Sequence, residues 1–212
     1  VTAQQQPTGN PVQALTGKLA EYRTFLSSAV HNPRMVGAAT PTSAAVAATV
    51  AQVVPSTGSP VVVELGPGTG SLSDGIHARL PADARHLGIE LGADMVAHLR
   101  EHRPWLEVVH GDAGDLVSVL AEHRIDKVDA VISSIPWSLL DDDAQGHILD
   151  QAAKALTPNG AFTALTYLPA ERTRNARRFR ERLHETFDEV LTHTTWRNFP
   201  PILHYFCRRP LV

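Results

Sequence analysis

The chain has 212 residues with a hydrophobic content of 43%, enough for one well-buried α/β domain plus a modest extension and short for two domains. A formal net charge of -3 and a pI of about 6.4 leave no global basic field to hold a nucleic-acid backbone, so no nucleic-acid partner is expected. The single Cys207 excludes an intrachain disulfide, the polar start has no apolar signal core, and the longest apolar-rich run, Ala44 to Val54, is too short for a bilayer span, so the expectation is a soluble, cytoplasmic protein.

Residues 1–11 are polar with Pro7, Gly9 and Pro11 and are expected to be disordered. Residues 12–59 are expected to form a helical extension. Leu15, Leu19, Tyr22, Phe25 and Leu26 recur three or four apart, giving one apolar helix face that fits either a helix packed on the core or a cap over the active site with Tyr22 and Phe25 near the substrate. After a loop from His31 to Pro41, Thr40 is the expected cap of a second helix with Pro41 at its first position, running from Ala44 to about Val54. Its many small residues imply close packing against a neighbour.

The core is expected over residues 60–212. Val61-Val62-Val63 reads as a short buried strand, the glycines of Gly66-Pro67-Gly68-Thr69-Gly70 punctuate its end, and Leu72, Ile76 and Leu80 recur at helical spacing. This is strand, Gly-rich turn, helix, the layout of a nucleotide-type cofactor site. A dinucleotide fingerprint would need Gly or Ala at position 71, where Ser71 stands, and Glu64 would repel a pyrophosphate. Further strands are expected over Arg85–Glu90, Trp105–His110, Val128–Ser133 and Ala161–Tyr167, with helices over Asp94–His102, Leu116–Glu122 and Asp141–Leu156, and a turn at Thr157–Gly160. A basic helix from about Ala170 to Thr186 precedes two closing strands, Phe187–Trp196 and Ile202–Cys207. Alternating strands and helices imply a mostly parallel doubly wound sheet, and two last strands with no helix between them imply an antiparallel edge hairpin.

Glu64-x-Gly66-x-Gly68-x-Gly70 resembles motif I of the class I S-adenosylmethionine (SAM)-dependent methyltransferases. SAM has no phosphate but carries a sulfonium and an ammonium, so an acidic residue there is favourable. Glu90 ending the second strand, Asp112-Ala113 after the third and Pro158-Asn159-Gly160 before the fifth extend the resemblance from Pro60 to Cys207. It implies a Rossmann-like α/β fold with a seven-stranded sheet, an antiparallel C-terminal hairpin and an N-terminal helical cap, and SAM as cofactor. It also implies that Glu90 meets the ribose hydroxyls, Asp112 the adenine amino group and the Ala113 amide the ring. Leu91 and Ser133 would complete the set, with the Gly66–Gly70 backbone against the methionine and ribose. Read alone, Glu90 fits equally well as an acid stabilised at a helix start.

The segment Asn32-Pro33-Arg34-Met35-Val36-Gly37-Ala38 and the ending Asn198-Phe199-Pro200-Pro201 resemble bacterial phospholipid N-methyltransferases, a group similar to the rRNA adenine dimethyltransferases. The latter carry N-L-P-Y after the fourth strand, where this chain reads Ser134-Ile135-Pro136-Trp137. Ser134, Trp137, Tyr167 and Tyr22 are the expected acceptor-side residues, with Trp137 or Tyr167 offering a ring face to developing positive charge. The expected activity is N-methylation of a small or amphiphilic amine. Phosphatidylethanolamine is an alternative acceptor, and a SAM-binding protein or cyclase without methyl transfer is another alternative.

His98 and His102 lie four apart, but Leu99 stands where a zinc-protease glutamate would be needed, and no metal is expected. Asp141-Asp142-Asp143 fits a helix start, where negative charge is stabilised by about 0.3–1 kcal/mol per residue. The arginines of residues 172–182 suit weak contact with an anionic membrane surface. Val12–Val30 offers only Lys18 and Arg23 as cations against Glu21, so weak liposome binding and a soluble acceptor are expected.

Overall fold

The computed structural model describes residues 43–212. The expected disorder of residues 1–11, the helix bearing Tyr22 and the loop ending at Pro41 lie outside them. The first described element is helix α1, Ala44–Val50, which tightens into a 3-10 turn at Ala51–Val53. Its cap is Ser43 rather than Thr40: the Ser43 side chain accepts the Val46 amide at 3.4 Å. The helix therefore begins three residues past the expected Pro41.

Strand β1, Val61–Leu65, is an interior strand of the sheet, hydrogen-bonded to β2 (Arg85–Glu90) on one side and β4 (Val128–Ser133) on the other. It is covered on both faces, which is why three consecutive valines suit it and alternation is absent. Strand β3, Glu107–His110, pairs parallel outside β2, while β5, Leu156–Tyr167, pairs parallel with β4. Strands β6 (Phe187–Thr195) and β7 (Ile202–Pro210) form the antiparallel hairpin, and β7 inserts next to β5. The resulting order is β3-β2-β1-β4-β5-β7-β6.

Three expectations shift in detail. Trp105 is not in β3, because its ring leaves the sheet to stack on His77 at 4.0 Å. The Thr157–Gly160 turn lies within β5: Val128 pairs Leu156 and Ala130 pairs Ala161, so the extra residues are absorbed as a bulge. The basic helix begins only at Arg174, capped by Thr173, after a 3-10 turn over Leu168–Arg172.

Helices cover both faces. Helix α2 (Ser71–His77) and α1 cover one, with Val46, Val50, Leu72 and Ile76 against Val62, Ala130 and Ile132. The small residues of α1 act as expected: a Cβ on Gly75 of α2 would fall 2.8 Å from the Ala47 Cβ. Helix α3 (Ala93–His102) is tied to α2 at its end by the Arg103–Asp74 pair, 2.8 Å. The other face carries α4 (Leu116–Glu122), α5 (Asp142–Ala155) and α6 (Arg174–Thr186). Their buried aliphatics and the stacked Trp137, Phe179, Phe162 and Phe187 rings make the larger core, each large side chain contributing about 1.5–3 kcal/mol. Asp141 caps α5 as expected, accepting the Ala144 amide at 2.9 Å. Asp142 is held by Arg178 and Arg182, whose guanidinium groups lower its carboxyl pKa to about 2.

Candidate active site

The parallel strands β1 to β5 all end at one edge, and the loops leaving them are tied side by side through backbone hydrogen bonds. The Gly66 amide donates to Ile89 O (2.9 Å), the Gly111 amide to Glu90 O (3.0 Å) and the Ser134 amide to Leu65 O (2.9 Å). This row gathers residues far apart in sequence. The Gly-rich loop follows β1, Glu90 ends β2, Asp112-Ala113 follow β3, Ser133 ends β4 with Ser134 just after it, and Tyr167 ends β5.

Gly66, Gly68 and Gly70 all have positive φ (70°, 56° and 80°), a conformation that explains glycine at alternating positions. A Cβ on Gly66 would come within 2.9 Å of the Ile135 side chain, so the β1 and β4 loops touch. Above Gly68 nothing lies within 4 Å of where a Cβ would stand. That leaves an open cradle in an otherwise close-packed edge. Glu90, only 6% exposed, accepts the Gly68 amide through Oε2 (2.9 Å) and the Gly92 amide through Oε1 (2.8 Å). A carboxylate has about four acceptor sites, so two amides do not exhaust it.

Asp112 is buried and its Oδ1 accepts the Gly114 amide at 2.8 Å, which fixes the Ala113 backbone in a 3-10 turn. The Leu91 carbonyl accepts from His110 Nε2 at 3.1 Å. Glu64 is fully buried two residues short of the loop. Its Oε2 accepts the Ser73 hydroxyl (2.6 Å) and lies 3.4 Å from His86 Nε2, while Oε1 has no partner. An orphaned carboxylate oxygen beneath the loop favours a cation above it. The open cradle, the spare acceptor capacity of Glu90 and this orphaned oxygen together fit SAM, a cationic ligand with ribose hydroxyls.

The acceptor-side residues divide. Ser134 stands where the β1 and β4 loops meet, and its Oγ is buried without a partner. Tyr167 ends the adjoining strand, half-buried, and burial raises its hydroxyl pKa. Trp137 does not offer the expected ring face. It is 1% exposed, stacked on Phe179 at 4.2 Å and edge-on to Phe162, and its Nε1 donates to Ser133 Oγ at 3.0 Å. The 3-10 turn at Trp137–Leu139 folds the indole back into the core and takes the Ser133 hydroxyl with it. Tyr22 lies outside the described residues.

Two residues escaped the sequence reading. Gln145 is fully buried in α5, and its Nε2 donates to the carbonyls of Trp137 (2.8 Å), Leu140 (3.3 Å) and Asn175 (3.0 Å), bolting the post-β4 loop to α5 and α6. Its only signal was a polar residue in the apolar stripe Gln145, Ile148, Leu149, Ala152. Tyr205 of β7 donates to Glu171 Oε2 at 2.7 Å, pinning the turn after β5. Among the described residues no group of three or more His, Cys, Asp or Glu is placed to hold a metal ion, and no helix is long and apolar enough to cross a membrane.

A sheet of this order with a Gly-rich loop after β1 and an acid ending β2 defines a SAM-binding methyltransferase domain. The comparisons agree: residues 62–160 match the methyltransferase domain family. The chain is 31% identical over 193 residues to the ornithine lipid N-methyltransferase of Singulisphaera acidiphila, covering 90% of this chain and 97% of that one. Similar solved structures include the O-methyltransferase from Bacillus cereus in complex with SAH (TM-score 0.65, 13% identity, 89% of this chain and 90% of that one). Another is the N-methyltransferase NodS from Bradyrhizobium japonicum WM9 with S-adenosyl-L-homocysteine (TM-score 0.60, 14% identity, 77% and 85%). TrmN from Thermus thermophilus also matches (TM-score 0.61, 16% identity, 82% of this chain), and this chain covers 51% of its length. The chain belongs to the class I SAM-dependent methyltransferases, and SAM is its cofactor.

Proposed function

We propose that the enzyme N-methylates the amine of an amphiphilic acceptor, a lipid whose head group carries a free amine. The observation that carries this is the match to a lipid N-methyltransferase across nearly the whole of both chains. It draws the acceptor toward a lipid and away from the soluble amine suggested by the sparse cations of Val12–Val30.

When bound, SAM supplies a methyl group already activated by its sulfonium. The chain has to bind, align and exclude water, and positioning of this kind is worth about 7–11 kcal/mol when the geometry is near attack. In this reading Glu90 takes the ribose hydroxyls with its remaining lone pairs, and the Asp112-Ala113 turn receives the adenine edge. The Gly68 backbone leaves room for the methionine portion, and Glu64 places negative charge below it. Ser134 orients the amine: its unpartnered Oγ accepts an amine N–H, which turns the nitrogen lone pair toward the donor. Tyr167 closes the adjoining wall. The amine reacts as the free base, since an ammonium has no lone pair to attack with.

Incubation of the full chain with methyl-labelled SAM and mixed micelles tests this, comparing ornithine lipid, phosphatidylethanolamine and a water-soluble amine. Label in an aminolipid is expected. Label only in the soluble amine would overturn the lipid reading, and preference for phosphatidylethanolamine over ornithine lipid would assign the head group.

A further inference from the structure

Strands β5 and β6 each run antiparallel to β7, so they point the same way. The β6–β7 turn, Trp196 to Pro201, therefore emerges at the edge that holds the Gly-rich loop, Ser134 and Tyr167. It is firmly built. The Leu168 amide donates to Pro201 O at 2.8 Å, joining the turn after β5 to this tip. Asn198 is buried, donates to Pro200 O at 2.8 Å and accepts the Ser43 amide at 3.3 Å.

On this fixed frame two aromatic rings face outward: Trp196 is 71% exposed and Phe199 86%. Arg197 is exposed between them, and Arg172 and Arg174 are exposed on the neighbouring turn and helix start. None of the three has a carboxylate partner among the described residues, whereas Arg178 and Arg182 on the same helix are occupied by Asp142. Glu171, next to Arg172 in sequence, accepts the Tyr205 hydroxyl. At the start of α5, Asp141 caps the helix and Asp142 is already paired with Arg178 and Arg182. Rigid aromatic side chains in water are costly unless something covers them. Trp beside arginines that have no carboxylate partner among the described residues suits the head-group layer of an anionic bilayer, where the rings bury and the cations meet phosphates.

We infer that the β6–β7 turn is a bilayer-docking tip, with Trp196 and Phe199 seated in the head-group layer of an anionic membrane and Arg172, Arg174 and Arg197 against its phosphates. The inference rests on the lipid-acceptor reading and deepens it: the tip would hold the site's open edge toward the surface from which an aminolipid head group must enter. It differs from the expected contact along the Arg-rich helix, because two of that helix's arginines are already engaged.

The test uses the full chain and vesicles of phosphatidylcholine with or without phosphatidylglycerol, containing no lipid with a free amine. Co-flotation with the anionic vesicles is expected, together with quenching of tryptophan fluorescence by brominated acyl chains that is lost in Trp196→Phe. The double variant Trp196→Ser/Phe199→Ser is expected to bind these vesicles at least about ten-fold more weakly, with unchanged SAM affinity and melting temperature. Absence of flotation, equal flotation of variant and wild type, or a concentration-dependent dimer abolished by the double variant would each overturn the inference. Because these vesicles carry no acceptor, docking is scored separately from chemistry. A docked enzyme that methylates no aminolipid would overturn the lipid-acceptor reading and leave the tip standing.

Discussion

The Glu90 carboxylate holds the Gly68 amide at 2.9 Å and reaches the Gly92 amide with its other oxygen. One side chain at the end of β2 thus sets the Gly-rich loop after β1 and the start of the segment leading into α3. Glu90→Ala removes both bonds and the charge at once. A loss of about 1–3 kcal/mol of cofactor binding is expected, or about a 5- to 150-fold rise in the SAM dissociation constant by calorimetry. Asp112→Ala should weaken binding over the same range through the Ala113 turn. Wild-type affinity in both variants would remove these residues from the site.

Gly68 and Gly75 separate cofactor effects from packing effects. Gly68→Ala adds a methyl to the open cradle at φ 56°, at a backbone cost of about 1–2 kcal/mol. SAM affinity should fall by more than the melting temperature accounts for. Gly75→Ala drives a methyl against Ala47 between α1 and α2, and overpacking of this kind costs about 1–3 kcal/mol. Its expected signature is a lower melting temperature with SAM affinity intact. If both variants bound and melted alike, the cradle would have no special role.

Gln145 provides a test of the acceptor loop. Gln145→Leu leaves three carbonyls without their shared donor, a loss of about 1–3 kcal/mol in stability. Below the melting range KM for the acceptor should rise while SAM binding stays near wild type, because the Gly-rich loop is held independently by Glu90. An unchanged acceptor KM would mean that the loop keeps its shape without Gln145.

His204 makes stability depend on pH. Its ring is buried, with Nε2 against Thr195 Oγ1, and burial together with His193 lowers its pKa from 6.5 to about 4. Between these values the unfolded chain takes up a proton that the folded chain refuses, so stability falls as pH drops through that window. The loss is on the order of 1–3 kcal/mol. His204→Gln should flatten the melting-temperature profile between pH 6.5 and about 4. A profile as steep as wild type would assign the acid sensitivity to other groups.

Much of this enzyme was legible in its residue order. Val61-Val62-Val63 read as a strand because both faces of β1 are covered, and Gly66, Gly68 and Gly70 marked the loop because three positive-φ positions demand glycine. Asp141 announced a helix start, and Glu90 announced a strand end with an acid. These are short-range properties, set by side-chain shape and by backbone groups a few residues away. What folding alone decided depends on residues distant in the chain. Trp137, next to the acceptor segment in sequence, is drawn inward by Phe179 and Ser133, since stacking and a satisfied indole N–H outweigh exposure. Gln145 bridges three carbonyls that only tertiary packing assembles. The order β5-β7-β6 carries Trp196 and Phe199 to the same edge as the Gly-rich loop. Sequence periodicity reports which face of an element is buried; only the order and direction of the strands determine which loops share an edge.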